Sequence, residues 1–242
     1  MSLSIPPVAV VDFGLGNLFS VQLALTRAGL SSIITDNPED LRTAPAVIVP
    51  GVGAFGDAMN ALRARKLDAA LHDYRQSGRP IVGICLGQQL FMEESEEFGA
   101  HKGLGFIPGT VRRLPAGLLA EDGRKIKVPT VGWNTIARPA ARPTGWAGTL
   151  LEGVREESDM YFVHSYRVIL DNDAEALATT TYAGTVYCSA LQQDNITAFQ
   201  FHPEKSGQEG QKIYQNLAAQ LAKDSGVPIL ELHSQGAVPP SN

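Results

Sequence analysis

The sequence predicts an α/β protein in which a parallel sheet, covered by helices on both faces, is extended by antiparallel strands. Three observations lead there. Short apolar runs alternate with helical patterns from residue 8 to about residue 90, a βαβ rhythm that implies parallel pairing and helices on both faces. After about Gly99 strand-like segments follow one another with short turns between them, which extends a sheet in antiparallel fashion. The chain has 242 residues, 44% of them hydrophobic, enough to bury a large core as one domain.

The elements follow in order. Residues 8–12 read as a buried strand. Leu18, Val21, Leu25 and Ala28 then recur at helical spacing, and Gly29 ends that helix. Residues 30–35 and 46–49 are further strands. Residues 57–76 read as helical, with a break near Lys66 and with Gly78 and Pro80 as stop signals. Residues 81–84 form the next strand. Residues 105–114, 127–136, 161–169, 176–182, 185–192 and 197–201 read as strands, the last two joined by a hairpin at Asp194-Asn195. Residues 138–148, rich in Pro, Gly and Ala, read as a loop. A final helix follows Ser206, which with Glu209 has capping-box spacing, and Ile213, Leu217 and Leu221 line one of its faces. Periodicity stops near Gly226, so we expect one domain over 1–225 and a loosely ordered tail over 226–242. There is no internal repeat.

Composition narrows the function. The net charge is −5 and no basic patch dominates, which argues against nucleic acid as a partner. No apolar run has membrane length and none resembles a secretory leader. The two cysteines, Cys85 and Cys188, read as reduced thiols in a cytoplasmic compartment. Five histidines and two cysteines without ligand spacing do not form a zinc site; no metal or cofactor is expected.

The chemistry concentrates in two stretches. In PIVGICLGQQL (80–90) an apolar strand ends at Cys85, with Gly83 before it, Gly87 after it and a helical segment following at once. This is the pattern of a nucleophile elbow, a tight strand-to-helix turn that lifts a side chain to the rim of a sheet. The helix start favours a thiolate there. In AFQFHPEKS (198–206) His202 and Glu204 are two apart; in an extended segment that spacing places both on one face. They would serve as base and orienter for Cys85. A third stretch, PGVGAFG (50–56), ends a strand. It is neither GxGxxG nor a P-loop. Acyl chemistry at Cys85 needs N–H donors aimed at an oxyanion, which Leu86 and Val52 or Gly53 could supply if this turn lies beside the elbow.

GICLGQQ together with HPE resembles the triad (class I) glutamine amidotransferases, which deamidate glutamine through Cys, His and Glu. Within that family, DFGLGNL (12–18), PGVGAFGDAM (50–59), GLGFIPG (103–109), VGWN (131–134), YFVHSY (161–166) and FQFHPEKS (199–206) are similar to glutaminase subunits of histidine biosynthesis that pass ammonia to a cyclase. The resemblance covers residues 8–223 and implies a flavodoxin-like three-layer sandwich. It implies that Cys85 attacks the substrate amide, His202 relays the proton and Glu204 orients His202. Gln89 and the backbone of Ser165 and Tyr166 would hold the substrate's amino-acid end. Gly51, Val52 and Gly53 would form the oxyanion strand, with Leu86 after the nucleophile. Asn17, Trp133, Tyr161 and Lys205 would lie near the partner, a (β/α)8-barrel cyclase on a separate chain, in a heterodimer. Four positions depart from the family: Gln88 stands where Met is usual, Thr130-Val131 replaces His-Met, and Phe13 replaces Tyr.

Simpler readings stand beside these. Cys188 reads as a small buried hydrophobe. His164 reads equally as a core histidine or a site residue. His72, His101 and His233 read as surface residues. Trp133 and Tyr161 could be ordinary rim aromatics, and Lys205 a solvated lysine. Two other functions compete: a glutaminase of the same fold serving another pathway, such as pyridoxal phosphate synthesis or stand-alone γ-glutamyl hydrolysis, and a non-catalytic regulatory subunit.

Overall fold

The computed structural model describes residues 5–115, 127–140, 142 and 145–227. The expected tail therefore lies outside the described residues except for Gly226 and Val227, as do parts of the 138–148 loop. Among the described residues eleven strands form one sheet, and two more form a separate ribbon.

The parallel half comes first. β1 (Val8–Val11), β2 (Ser32–Thr35), β3 (Val47–Gly51) and β4 (Ile81–Cys85) are joined in parallel in the order β2-β1-β3-β4. Their connections carry α1 (Leu18–Arg27), α2 (Pro38–Thr43), α3 (Phe55–Ala64) and α4 (Leu67–Gln76). The break near Lys66 is present: this residue has φ 59° and separates α3 from α4. Helix α2 was not read from the sequence. Its start signal is nevertheless there, since Asn37 accepts from the Glu39 N–H at 3.2 Å and Pro38 occupies the first turn, where its missing N–H does no harm.

Alternate residues of β1 enter two cores. Val8 and Val10 pack with Val21 and Leu25 of α1 on one face. Ala9 and Val11 pack with Leu41, Met59, Leu62 and Leu71 of α2–α4 on the other. A strand with side chains of period two, buried on both faces, needs apolar residues throughout. The last helix, α6 (Gly207–Ser225), joins the α1 face through Ile213, Leu217 and Leu221.

After β4 come α5 (Leu86–Leu90) and the short strands β5 (Glu94–Ser95) and β6 (His101–Lys102). They are followed by β7 (Gly109–Arg113), β8 (Thr130–Thr135), β9 (Asp159–His164), β10 (Tyr166–Leu170), β11 (Ala176–Tyr182), β12 (Thr185–Gln193) and β13 (Ile196–Phe199). β13 lies parallel to β4 and antiparallel to β12, with Asp194 at φ 52° in the hairpin between them. The expected strand over 161–169 is corrected: it is two strands broken at Ser165. β9 pairs with β8 in the ribbon, whereas β10 pairs with β7 and β12 in the main sheet. Continuous apolar alternation cannot reveal such a change of sheet.

Candidate active site

Three strand ends meet at one place. Cys85 closes β4 with φ 55° and ψ −107°, a backbone region sparsely populated by residues other than glycine and costing roughly 1–3 kcal/mol. The next residue begins α5. The flanking glycines are there because no side chain fits. A Cβ on Gly87 would stand 1.8 Å from the Val49 carbonyl oxygen, and one on Gly83 would stand 2.5 Å from the Phe91 ring. β3 and the start of α5 thus touch through bare backbone, and Cys85 is buried.

The parallel register Phe199↔Ile84 delivers the chain after β13 to the same end of the sheet. His202 Nδ1 lies 2.8 Å from Glu204 Oε1, and both side chains are almost fully buried. The spacing-based reason for this pairing is corrected. The strand has ended at Phe199, and Pro203–Lys205 form a 3₁₀ turn, so a turn rather than a strand face brings the two together. The capping box is also absent. The Ser206 hydroxyl donates to the His202 carbonyl at 2.6 Å and accepts from Tyr161 N–H at 3.0 Å, bracing the turn instead of capping α6. Glu209 accepts from the Arg155 N–H instead.

Burial alone would depress the His202 imidazole. Interactions with Cys85 and Glu204, through hydrogen bonding and charge, outweigh it and raise the group to about 10. Nε2 makes no hydrogen bond of ordinary geometry, so the contact with Cys85 is looser than that with Glu204. The arrangement favours a protonated imidazole beside the sulfur.

A cleft of about 230 Å³ opens onto Cys85. Its wall includes Val52, Gly53, Leu86, Gln89, Glu97, Ser165 and Tyr166. Gly51 is paired with Cys85 across β3 and β4, so the glycine turn lies beside the elbow. The Val52 N–H is directed at the Leu15 carbonyl, 3.4 Å away. Gln89 Nε2 donates to the Tyr166 carbonyl at 3.1 Å and to Gln200 Oε1 at 3.0 Å.

Glu97 was not singled out from the sequence. It stands in an acidic run, Glu93 to Glu97, where nothing marks one carboxylate from the next. In the fold its Oε2 accepts from the Phe55 N–H at 2.7 Å. Burial raises its carboxyl above the usual range, although the Phe55 bond and His101 act in the opposite direction.

His164 turns out to be a buried structural residue at the cleft wall. Its Nδ1 lies 2.8 Å from the Tyr166 carbonyl, which can only accept, so Nδ1 carries the proton and Nε2 accepts from the Tyr187 hydroxyl at 3.1 Å. Burial lowers the group to about 4; the Tyr166 bond opposes this and the charge of His202 reinforces it.

Trp133, Tyr161 and Lys205 form a ledge continuous with the His202 turn. Trp133 and Tyr161 are cross-strand partners in the ribbon with rings 5.9 Å apart, and Lys205 Nζ sits 5.7 Å over the Tyr161 ring. Trp133 is 57% exposed. Asn17 precedes α1 without capping it through its side chain. Cys188 donates to the Ala190 carbonyl, and burial pushes its thiol up to about 12, which makes it unreactive. Three larger hollows, of about 460, 520 and 560 Å³, lie elsewhere, and Cys85 lines none of them. Among the described residues no helix is long and apolar enough to cross a membrane, and no cluster of three His, Cys, Asp or Glu could hold a metal.

Solved structures share this fold. A structure described as glutamine amidotransferase superposes with a TM-score of 0.64 at 20% identity, covering 92% of this chain and 100% of the other. The glutaminase domain of Trypanosoma brucei CTPS gives 0.60 at 17%, covering 91% and 94%. Sequence relatives lie nearer. The imidazole glycerol phosphate synthase subunit HisH of Moorella thermoacetica is 43% identical over 91% of this chain and 97% of its own length. The subunit of the same name from Aquifex aeolicus is 39% identical over 88% and 97%. The family model described as Glutamine amidotransferase class-I matches residues 9–221. The chain belongs to the class-I glutamine amidotransferase family.

Proposed function

We propose that this chain is the glutaminase subunit of an imidazole glycerol phosphate synthase, acting as one domain over residues 1–225 with a separate (β/α)8-barrel cyclase in a heterodimer. It hydrolyses glutamine to glutamate and ammonia, and the cyclase uses the ammonia to make imidazole glycerol phosphate and AICAR. A reduced, cytoplasmic setting suits a reactive thiol. The observation that carries the reading is the grouping of Cys85, His202 and Glu204, with Cys85 lining a cleft, in a chain 43% identical to a synthase subunit of that name.

The roles follow from the chemistry. Cys85 Sγ attacks the side-chain amide carbon. The oxygen that becomes negative is met by the N–H groups of Leu86 and of the Gly51-Val52-Gly53 turn. His202 passes its proton to the leaving nitrogen, the C–N bond breaks, and ammonia departs from a γ-glutamyl thioester. Water, losing its proton to His202, then cleaves the C–S bond and releases glutamate. Glu204 holds the His202 tautomer and offsets its charge. Both N–H groups of the Gln89 amide are engaged within the protein, so its oxygen is the part that meets the substrate ammonium, together with Glu97. The carbonyls of Ser165 and Tyr166 are engaged by Leu114 and by Gln89 and His164, so this segment contributes N–H groups to the substrate carboxylate. Asn17, Trp133, Tyr161 and Lys205 form the partner face.

The deciding experiment measures glutamine turnover by the chain alone, with a cyclase subunit, and with the cyclase and its ribonucleotide. The expected result is slow turnover alone and fast turnover in the liganded complex, abolished by Cys85→Ala while added ammonia still supports cyclisation. Rapid turnover indifferent to the cyclase would instead assign a glutaminase of another pathway. No turnover under any condition would assign a regulatory subunit.

A further inference from the structure

The mechanism leaves one buried polar residue of the FQFHPEKS motif unused. Gln200 is completely buried between β13 and His202. Its Oε1 accepts from Gln89 Nε2 at 3.0 Å, and its Nε2 points at the Cys85 sulfur, 3.7 Å away. Its orientation is therefore fixed from both ends: Gln89 supplies an N–H and so demands the oxygen, which leaves the amide nitrogen for the sulfur. The main chain is held as well, by a 2.9 Å bond from the Gln200 N–H to the Ser189 carbonyl.

The sulfur has a second polar neighbour of opposite character. The Val163 carbonyl oxygen also lies 3.7 Å from it. A carbonyl can only accept, so that contact suits a thiol S–H and opposes a thiolate. The Gln200 N–H is a donor and suits the thiolate. For a sulfur that already faces the His202 imidazole, one further donor favours the thiolate and one acceptor opposes it. The partners at the other end are equally fixed. Gln89 is tied to the Tyr166 carbonyl, and that carbonyl also receives the His164 Nδ1–H, whose ring is in turn held by Tyr187.

We propose that Gln200 is a positioning residue for the nucleophile: its amide holds the Cys85 sulfur as thiolate while its oxygen is anchored by Gln89, the residue that faces the substrate's amino-acid end. This rests on the reading of Cys85 as nucleophile and Gln89 as a substrate contact. Two effects follow from one chain of bonds. Loss of Gln200 lowers thiol reactivity even toward a reagent with no amino-acid end. Loss of Gln89 does the same, although Gln89 is not bonded to the sulfur, because the freed Gln200 amide can then turn away.

The test uses the full chain in a Cys188→Ser background, with iodoacetamide as probe and folding checked by thermal melting. Gln200→Met, matched in size and without a donor, is expected to lower the alkylation rate about tenfold at neutral pH, the worth of one charge-assisted hydrogen bond, with recovery at alkaline pH. Gln89→Met is expected to lower it several-fold and also to raise the KM for glutamine in the complex, whereas Gln200→Met lowers kcat more than it raises KM. If Gln200→Met does not fold, Gln89→Met alone decides the matter through the alkylation rate. Wild-type alkylation profiles in the folded variants would overturn the proposal. Failure of the underlying reading is separate, since it would appear as glutamine turnover surviving Cys85→Ala.

Discussion

At the scale of single residues, the chemistry rests on groups whose charge is fixed by their surroundings. The short contact between His202 and Glu204 predicts that Glu204→Gln, which keeps shape and loses charge, lowers glutamine turnover by about 10²-fold or more, or about 2.7 kcal/mol of barrier. Steady-state turnover of the complex checks this, and an unchanged rate would remove Glu204 from the triad. His164 predicts a pH effect on stability. Its folded value is about 4 against an ordinary 6.5, so the unfolded chain binds the proton more readily. Stability is intact above pH 6.5 and is lost as pH falls toward about 4, by up to about 3 kcal/mol from this residue. His202, raised to about 10, has the opposite sign: its contribution is complete below pH 6.5 and disappears as pH rises through about 10. Denaturant midpoints from pH 7 to pH 4 should fall more steeply for the wild type than for His164→Gln, which cannot titrate; identical acid limbs would rule the assignment out. Much of this was legible in the sequence. Cys85, His202 and Glu204 carry distinctive neighbours, whereas Glu97 is one of several adjacent acids and only the fold selects it.

At the scale of elements, the strand-turn-helix unit around Cys85 was readable because glycines bracket it. The reasons for those glycines were not, since they lie in Val49 and Phe91, far along or outside the motif. The break at Ser165 was illegible for a related reason: alternation records which residues are buried, not which sheet buries them. Gln88 shows a local misfit in the same unit. It is completely buried in α5, and neither end of its amide has a hydrogen-bond partner. Methionine has a similar length and no polar end to satisfy. Gln88→Met should therefore stabilise the protein by about 1–2 kcal/mol, visible as a rise in melting temperature of about 2–4 °C for each kcal/mol. A lower melting temperature would show that the amide has a partner in solution.

At the scale of the whole molecule, the two halves of the active site have unequal readiness. Cys85, His202 and Glu204 stand together, but the Val52 N–H is directed at Leu15 rather than into the cleft. The isolated chain is therefore expected to lack one oxyanion donor and to turn over glutamine roughly 10²–10³-fold more slowly than the liganded complex. Comparable rates for the two would show that no such switch exists. The ledge of Trp133, Tyr161 and Lys205 runs into the His202 turn. Lys205→Ala should accordingly loosen the coupling between glutamine consumed and cyclised product and release more ammonia to solvent. Unchanged leakage and partner affinity would take Lys205 off the docking face. The tail beyond residue 227, and any part it plays, falls outside the described residues.

The contact between Gly87 and the Val49 carbonyl bears on redesign. Backbone touching backbone leaves the sulfur's address no adjustable side chain, so the Cys85 sulfur is a fixed point of the scaffold. A library aimed at a different amide should leave residues 83–87 alone. It should vary instead Glu97 and the side chains of Ser165 and Tyr166, which line the cleft beside the break between two sheets, and leave His164 in place. Variants drawn from these positions should keep iodoacetamide reactivity at Cys85 while changing which amides are accepted, and variants at Gly87 should lose both together.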